Sequence, residues 1–317
     1  MKAIRIHELG GAEVLRLDEI EKPQPKADEV LIKVSAAGIN YADTMLRTGT
    51  YFYKPQLPFT LGFEAAGTIE EVGENVAEWK TGQRVMASMQ SGGYAEYVAV
   101  KAHQPVLIPE GMSFSEATAL LAQGLTALGL LRNLKIGQTI LIHAAAGGVG
   151  SLLVQLAKHR GAVVIGTAST AEKLETVKSL GADFTINYTE SDWVSQVLQA
   201  TDGKGVDYLI EMVGGELGAQ NYSCMAQYGT MIIYGSASAQ DFKLSAMGIL
   251  RKGLTVKGYV LYEETRESIA TFTEELMQHI TAGRLKIIVQ EFPLEQAAEA
   301  HKAIEGRKTM GKVVLTT

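Results

Sequence analysis

Cysteine is almost absent: Cys224 is the only one in 317 residues. That excludes a disulfide framework and a four-cysteine zinc lobe. A lone thiol reads first as a small buried apolar group, not a nucleophile. Long apolar runs are also missing. The most apolar stretch, Ala117 to Leu131, is broken by Thr118, Gln123, Gly124, Thr126 and Gly129, too short and too interrupted to span a bilayer. The opening MKAIRIHELGG lacks the apolar core of a signal peptide. With so little cysteine, a reducing, cytoplasmic address is the expectation, with no membrane partner. Charge of one sign never accumulates, and the formal net charge is −6. A nucleic-acid binder would present a basic face, so none is expected here. The six histidines show no HxxxH or HExxH spacing, so they offer no metal pair. His143 reads as buried and hydrogen-bonded. No internal repeat or low-complexity segment occurs.

What is present is ordinary globular material, 46% hydrophobic and 20% charged, long enough for two domains. Its texture changes once. Up to about residue 115 the chain reads as short strands punctuated by glycine and proline: EVLIKVSAAGI, AAGTIEEVG, RVMA and YAEYVAV, with EVGENV as a turn. This is barrel-like β texture. From about Leu120, strand candidates TILIHAA, AVVIGTA, DFTINY, VDYLIEMV, TMIIYGS and LTVKGYV follow, with helical patterns such as SLLVQLAKH and TAEKLETVKSLG between several of them. Short apolar strands alternating with helices predict a parallel, doubly wound sheet. A helical stretch, RESIATFTEELMQHITAG, precedes IIVQEFPL, AAEAHKAIEG and KVVLTT, which are too few to form a domain and should return to the first one. The predicted layout is 1–120, 121–265 and 266–317, the last segment rejoining the first.

The turn after TILIHAA carries the chemistry. Ala145-x-Gly147-x-x-Gly150 stands where a G-x-G-x-x-G dinucleotide fingerprint belongs. Small residues at Ala146, Gly147, Gly148, Val149 and Gly150 permit a tight turn and close approach of backbone to a pyrophosphate. A helix starting near Gly148 points its N–H groups at that anion. Tight strand–helix packing without a ligand is the competing explanation. An NAD-binding loop would carry an acid at the end of the second strand, about 20 residues on. Here that strand ends Gly166-Thr167-Ala168-Ser169-Thr170-Ala171-Glu172-Lys173. Hydroxyls and a lysine suit a 2′-phosphate, so Ser169, Thr170 and Lys173 predict NADPH. Ser169 and Thr170 also suit a helix N-cap, which is compatible with that role.

AAGINYADTMLRTGTY, LPFTLGFEAAG, GGYAEYV and HAAAGGVG together resemble the medium-chain dehydrogenases/reductases, in particular the quinone oxidoreductase (zeta-crystallin-like) branch. The resemblance covers nearly the whole chain. It implies a GroES-like β-barrel-type catalytic domain joined to a Rossmann doubly wound sheet, and a metal-free, NADPH-dependent two-electron reductase. Zinc members of the superfamily have a cysteine where this chain has Asn40, and a histidine where it has Phe63. The third ligand region, near Ala122 and Gln123, holds no thiolate or imidazole. Asp43 and Glu64 alone do not make a catalytic zinc site, so no metal ligands are assigned. Asp43 is expected to pair with Arg47 one helical turn on. Without zinc to acidify a hydroxyl, an electron-poor quinone or conjugated carbonyl is the acceptor expected.

By the matched motifs, Asn40, Asp43, Arg47, Tyr51 and Phe63 should line the substrate cleft. Tyr51 is the candidate phenolic donor, although packing in a loop would explain it equally well. The resemblance places Thr126 on the nicotinamide side, although helix packing would also explain it. Tyr188 should stand near the adenosine. Tyr234, Gly235 and Ser236 end the fifth strand and should border the nicotinamide, since ligands sit at the carboxyl ends of such strands. Lys312 is expected to close over the cofactor. An enoyl-thioester or enone reductase is the nearest alternative. A cofactor-binding structural or RNA-binding protein is a weaker one, and the negative charge counts against RNA. The apolar edge of Leu254–Val260 and the resemblance both predict a homodimer.

Overall fold

The computed structural model describes all 317 residues, in two compact units: Met1–Ala122 with Ile287–Thr317, and Gln123–Lys286.

The first unit is built on one long strand, Glu29–Ile39. Glu64–Val72 pairs along one of its edges, with two register shifts. Tyr97–Lys101 pairs with residues 29–33 and Lys312–Thr316 with residues 36–39. Exchanging partners midway, with irregular register on the other side, curls the sheet as a barrel requires. Val289–Pro293 joins parallel to Lys312–Thr316, and Arg84–Ser88 and Val106–Leu107 extend the opposite side. A separate three-stranded sheet holds Leu15–Glu19, Lys2–Ile6 and Phe59–Thr60. Ile32, Val34, Leu61, Ile69, Val85 and Leu315 are among the buried side chains that fill the core. The expected return of the C-terminal strands to this unit is observed.

The second unit contains six parallel strands: Thr139–Ile142, Val163–Ala168, Phe184–Asn187, Val206–Glu211, Met225–Ile233 and Thr255–Gly258. Across the sheet they run third, second, first, fourth, fifth, sixth. All six were predicted, and the order is that of a doubly wound dinucleotide fold, with its switch point between the first and fourth strands. The inner strands are buried on both faces, which is why they read as unbroken apolar runs.

The predicted boundary at 265/266 is corrected. Helix Arg266–Thr281 belongs to the second unit, and the chain rejoins the first at Ile287. Leu276 is fully buried and packs so close to Gly124 that a Cβ there would fall 2.5 Å from it. Arg160 pairs with Glu275 at 2.8 Å, and Arg132 stacks over Phe272. Gln155 finally holds Lys286, accepting its N–H at 2.7 Å and donating to its carbonyl at 3.0 Å. No helix is long and apolar enough to cross a membrane.

Candidate active site and cofactor crevice

The predicted glycine loop links the first strand of the sheet to helix Gly148–His159. Ala144 enters it with φ +50°, a left-handed conformation costly for alanine. The turn closes through Gly147 N–H to the Ala144 carbonyl at 2.9 Å, and Ala145 N–H ties it to Thr167 at 2.9 Å. At Gly150 a Cβ would lie 2.3 Å from the Ala144 carbonyl oxygen and 2.8 Å from Ala145 Cα, so only glycine lets the helix start against the turn. Helix geometry leaves the N–H groups of Gly148, Val149 and Gly150 without intrahelical acceptors, the arrangement that receives an anion.

Gln123 was not foreseen as a binding residue. It is 8% exposed, its Oε1 has no hydrogen-bond partner, and a Cβ on Gly148 would collide with its amide at 2.2–2.3 Å. An unsatisfied buried acceptor costs about 1–3 kcal/mol, so this one implies a donor supplied from outside the chain. The only sequence signal was a polar residue inside the most apolar stretch. The orphaned amide, the bare glycines and the open helix end together fit a nicotinamide dinucleotide.

The second strand ends without an acid. Thr170 caps helix Ala171–Ser179, accepting the Lys173 N–H at 3.3 Å, while Ser169 and Lys173 are partly exposed. Cap and phosphate-binding readings of Thr170 therefore coexist. Tyr188 follows the third strand, with its N–H on the Ala168 carbonyl at 3.2 Å. Tyr234, Gly235 and Ser236 follow the fifth strand and are partly buried, and burial raises the Tyr234 phenol above its ordinary range. Thr126 is half-buried in helix Leu125–Leu130.

Beneath this crevice runs a fully buried polar chain. His143 contacts Thr167 Oγ1 through Nδ1 and Asn221 Oδ1 through Nε2, each at 2.8 Å. Asn221 donates to Glu211, whose other oxygen accepts Val213 and Gly214 N–H at 2.6 and 2.7 Å. Since Asn221 presents its carbonyl, His143 carries its proton on Nε2 and takes the Thr167 hydroxyl proton on Nδ1. Burial lowers the His143 pKa, opposed by Glu211. The chain cross-links the ends of three strands and the start of helix Gly215–Cys224, so the expected structural role of His143 holds. Cys224 is buried, its thiol pushed up to about 12 by desolvation, and it is unsuited to nucleophilic work.

In the first unit, Asn40 precedes helix Tyr41–Thr48, its N–H held by Asp43 Oδ2 at 2.8 Å. Its amide donates from Nδ2 to Glu64 Oε1 at 2.8 Å and accepts Lys312 Nζ–H on Oδ1 at 2.9 Å. Lys312 and Glu64 form a buried ion pair, and Glu64 Oε2 accepts Ala122 N–H at 3.3 Å. Lys312 therefore does not close over a cofactor: it lies wholly buried beneath Asn40. Tyr51 and Phe63 are half-buried, with ring centroids 5.8 Å apart, and Tyr53 meets Tyr51 edge-on at 5.5 Å.

Arg47 and Asp43 are also corrected. Arg47 does not pair with Asp43 and does not line an open surface. It is 1% exposed and donates to Glu305 Oε1 at 2.5 Å, the Gly10 carbonyl at 3.1 Å and His301 Nδ1 at 3.2 Å. His301 then reaches the Tyr94 hydroxyl at 3.2 Å. Asp43 faces the other way, buried beside Tyr94, and desolvation lifts its pKa to about 7. Burial beside the Arg47 guanidinium lowers His301 to about 3. The helical spacing placed Asp43 and Arg47 one turn apart, but their long-range partners pull them to different neighbours. Asn40, Tyr51 and Phe63 remain as the partly exposed face.

This donor set does not fit zinc. An amide and a phenyl ring stand at the ligand positions, Glu64 is committed to Lys312, and no three His, Cys, Asp or Glu side chains converge to hold a metal ion.

A GroES-like unit whose chain closes after a doubly wound dinucleotide sheet defines the architecture of a medium-chain dehydrogenase/reductase. Residues 26–110 match the alcohol dehydrogenase GroES-like domain, and residues 148–280 match the zinc-binding dehydrogenase family. The pig quinone oxidoreductase is 37% identical over 99% of this chain and 97% of its own. An Escherichia coli quinone oxidoreductase complexed with NADPH superposes with a TM-score of 0.93 at 34% identity, covering all of both chains. A mycobacterial protein complexed with NADPH superposes equally well, TM-score 0.93 at 35% identity, again over both whole chains. The chain belongs to the medium-chain dehydrogenase/reductase superfamily, in its quinone oxidoreductase branch.

Proposed function

We propose that this chain is an NADPH-dependent oxidoreductase that reduces quinones and related conjugated carbonyls without zinc. The observation that carries the reading is an intact dinucleotide crevice in a chain whose zinc-ligand positions hold a hydrogen-bonded amide and an aromatic ring. The relatives' names and their NADPH complexes support it.

Gly147, Gly148, Val149 and Gly150 would hold the pyrophosphate, with Gln123 beside them. Ser169, Thr170 and Lys173 would hold the 2′-phosphate, and Thr126, Tyr188, Tyr234, Gly235 and Ser236 the rest of the cofactor. Bound NADPH supplies two electrons as a hydride. The chain supplies position, a dry surface and a hydrogen bond to the oxygen on which charge develops. Asn40 is the amide donor for that oxygen and Tyr51 the phenolic one. Phe63, packed on Tyr51, offers a flat apolar wall suited to an aromatic acceptor. Asp43 and Arg47 hold the helix that carries Asn40.

We place the enzyme in the cytoplasm as a homodimer. Thr255–Gly258 is an edge strand, and Met247 and Leu250, in the helix just before it, are 55% and 70% exposed. Such an edge invites pairing with a second copy. The functional test is NADPH oxidation with a panel of quinones, enones and enoyl thioesters. Turnover of quinones is expected. Turnover confined to enoyl thioesters would replace this reading with that of an enoyl reductase.

A further inference from the structure

The Lys312–Glu64 ion pair lies buried against Asn40. Both side chains are essentially inaccessible, at 0% and 1%. The strand beside them carries Gly38, where a Cβ would fall 2.5 Å from Lys312 Cε and 2.6 Å from Glu64 Oε1. A buried ion pair is rarely worth more to stability than an apolar pair of the same volume. Its geometry shows another use. Lys312 Nζ can only donate and the Glu64 carboxylate can only accept. Asn40 sits between them with Oδ1 on the ammonium at 2.9 Å and Nδ2 on Glu64 Oε1 at 2.8 Å. Turning the amide over would set NH2 against the ammonium and oxygen against the carboxylate. One orientation is therefore enforced, with one Nδ2 hydrogen spent on Glu64 and the second left over.

We infer that Lys312 and Glu64 are positioning residues that fix the polarity of the Asn40 amide, so that its second N–H is always presented to the acceptor oxygen. The inference rests on the proposed reductase reading for the identity of that acceptor. Neither residue touches substrate, and both act through Asn40.

The decisive comparison is a mutant cycle in the full-length enzyme. Lys312→Met/Glu64→Gln removes both charges together and leaves no lone buried charge. It should lower kcat/KM for a quinone by about 10- to 100-fold, as expected when one donor to a developing oxyanion is misdirected. NADPH affinity should not change. In an Asn40→Ala background the same two substitutions should cost less than about twofold more, because groups acting through one residue are not additive. Full activity of the double variant, or losses that multiply with Asn40→Ala, would overturn the inference. If the double variant does not fold, the side-chain amide spectrum of the wild-type enzyme keeps the inference falsifiable.

Proton–nitrogen NMR of the Asn40 side chain tests the orientation without turnover. One Nδ2 proton should lie far downfield in the wild type, held by the carboxylate, and move back in Glu64→Gln. An unshifted pair in the wild type would overturn the inference. A downfield proton in an enzyme inert toward quinones would instead defeat the functional reading and leave the positioning intact.

Discussion

Replacing Gly150 with alanine tests how the glycine loop receives its cofactor. The new methyl would lie 2.3 Å from the Ala144 carbonyl oxygen and 2.8 Å from Ala145 Cα. Ordinary contact begins near 3.4 Å, so the helix start and the turn must separate by roughly an ångström, and no flexible side chain can give way. Overpacking of this kind costs about 1–3 kcal/mol. For a unit of this size that lowers the melting temperature by about 2–12 °C. The same displacement carries the N–H groups of Gly148 and Val149 away from the pyrophosphate, and two weakened charge-assisted hydrogen bonds should lower NADPH affinity at least about tenfold. Gly147→Ala is the control for strain. Its Cβ meets only the Ala144 carbonyl, at 3.2 Å, so its stability should stay within about 1 kcal/mol of wild type. Thermal unfolding and NADPH fluorescence titration read both effects. Wild-type melting and wild-type affinity in Gly150→Ala would refute the close-approach account of the loop.

The remaining predictions concern charge, metal and assembly. NADPH should bind about 10- to 100-fold more tightly than NADH, and Lys173→Ala should remove most of that preference; equal affinities by fluorescence would count against the 2′-phosphate assignment. Asp43, raised to about 7 in the fold from an unfolded value near 3.8, binds more protons folded than unfolded. Its contribution therefore falls as pH rises from about 4 to 7, so Asp43→Asn should gain on wild type over that window by on the order of a few kcal/mol; urea unfolding at both ends reads the difference, and a flat one would contradict it. His301, lowered to about 3, acts in the opposite sense, its stability being lost as pH falls from about 6.5. Dialysis against a strong chelator should leave quinone turnover unchanged, and activity lost with stoichiometric zinc would defeat the metal-free reading. Light scattering at micromolar concentration should give twice the 34.1 kDa chain mass, and a monomer would refute the edge-pairing proposal.

Much of the fold was legible because local patterns carried it. The strand Glu29–Ile39 and all six parallel strands stood out as apolar runs with turn residues at their ends, and the helix start at Gly148 followed from the small residues before it. The misreadings share one cause, which is contact between residues distant in sequence. Arg47 looked like a partner for Asp43 until His301 and Glu305 met it. Lys312 looked like a free cation near the end of the chain, but its strand pairs beside Gly38 and delivers it to Glu64. The helix Arg266–Thr281 was amphipathic enough to serve either unit, and contacts with Gly124, Arg132 and Arg160 decide for the second. Gln123 gave no motif at all, since an orphaned acceptor is visible only once its neighbours are placed.

Single-turnover oxidation of NADPH stereospecifically deuterated at C4, with one quinone and one enone, tests the central claim most directly. The account predicts a primary isotope effect for deuterium on one face only, label carried into the reduced enone, and no free semiquinone. A semiquinone as the first product, or label lost to solvent before the enone is reduced, would contradict direct hydride transfer.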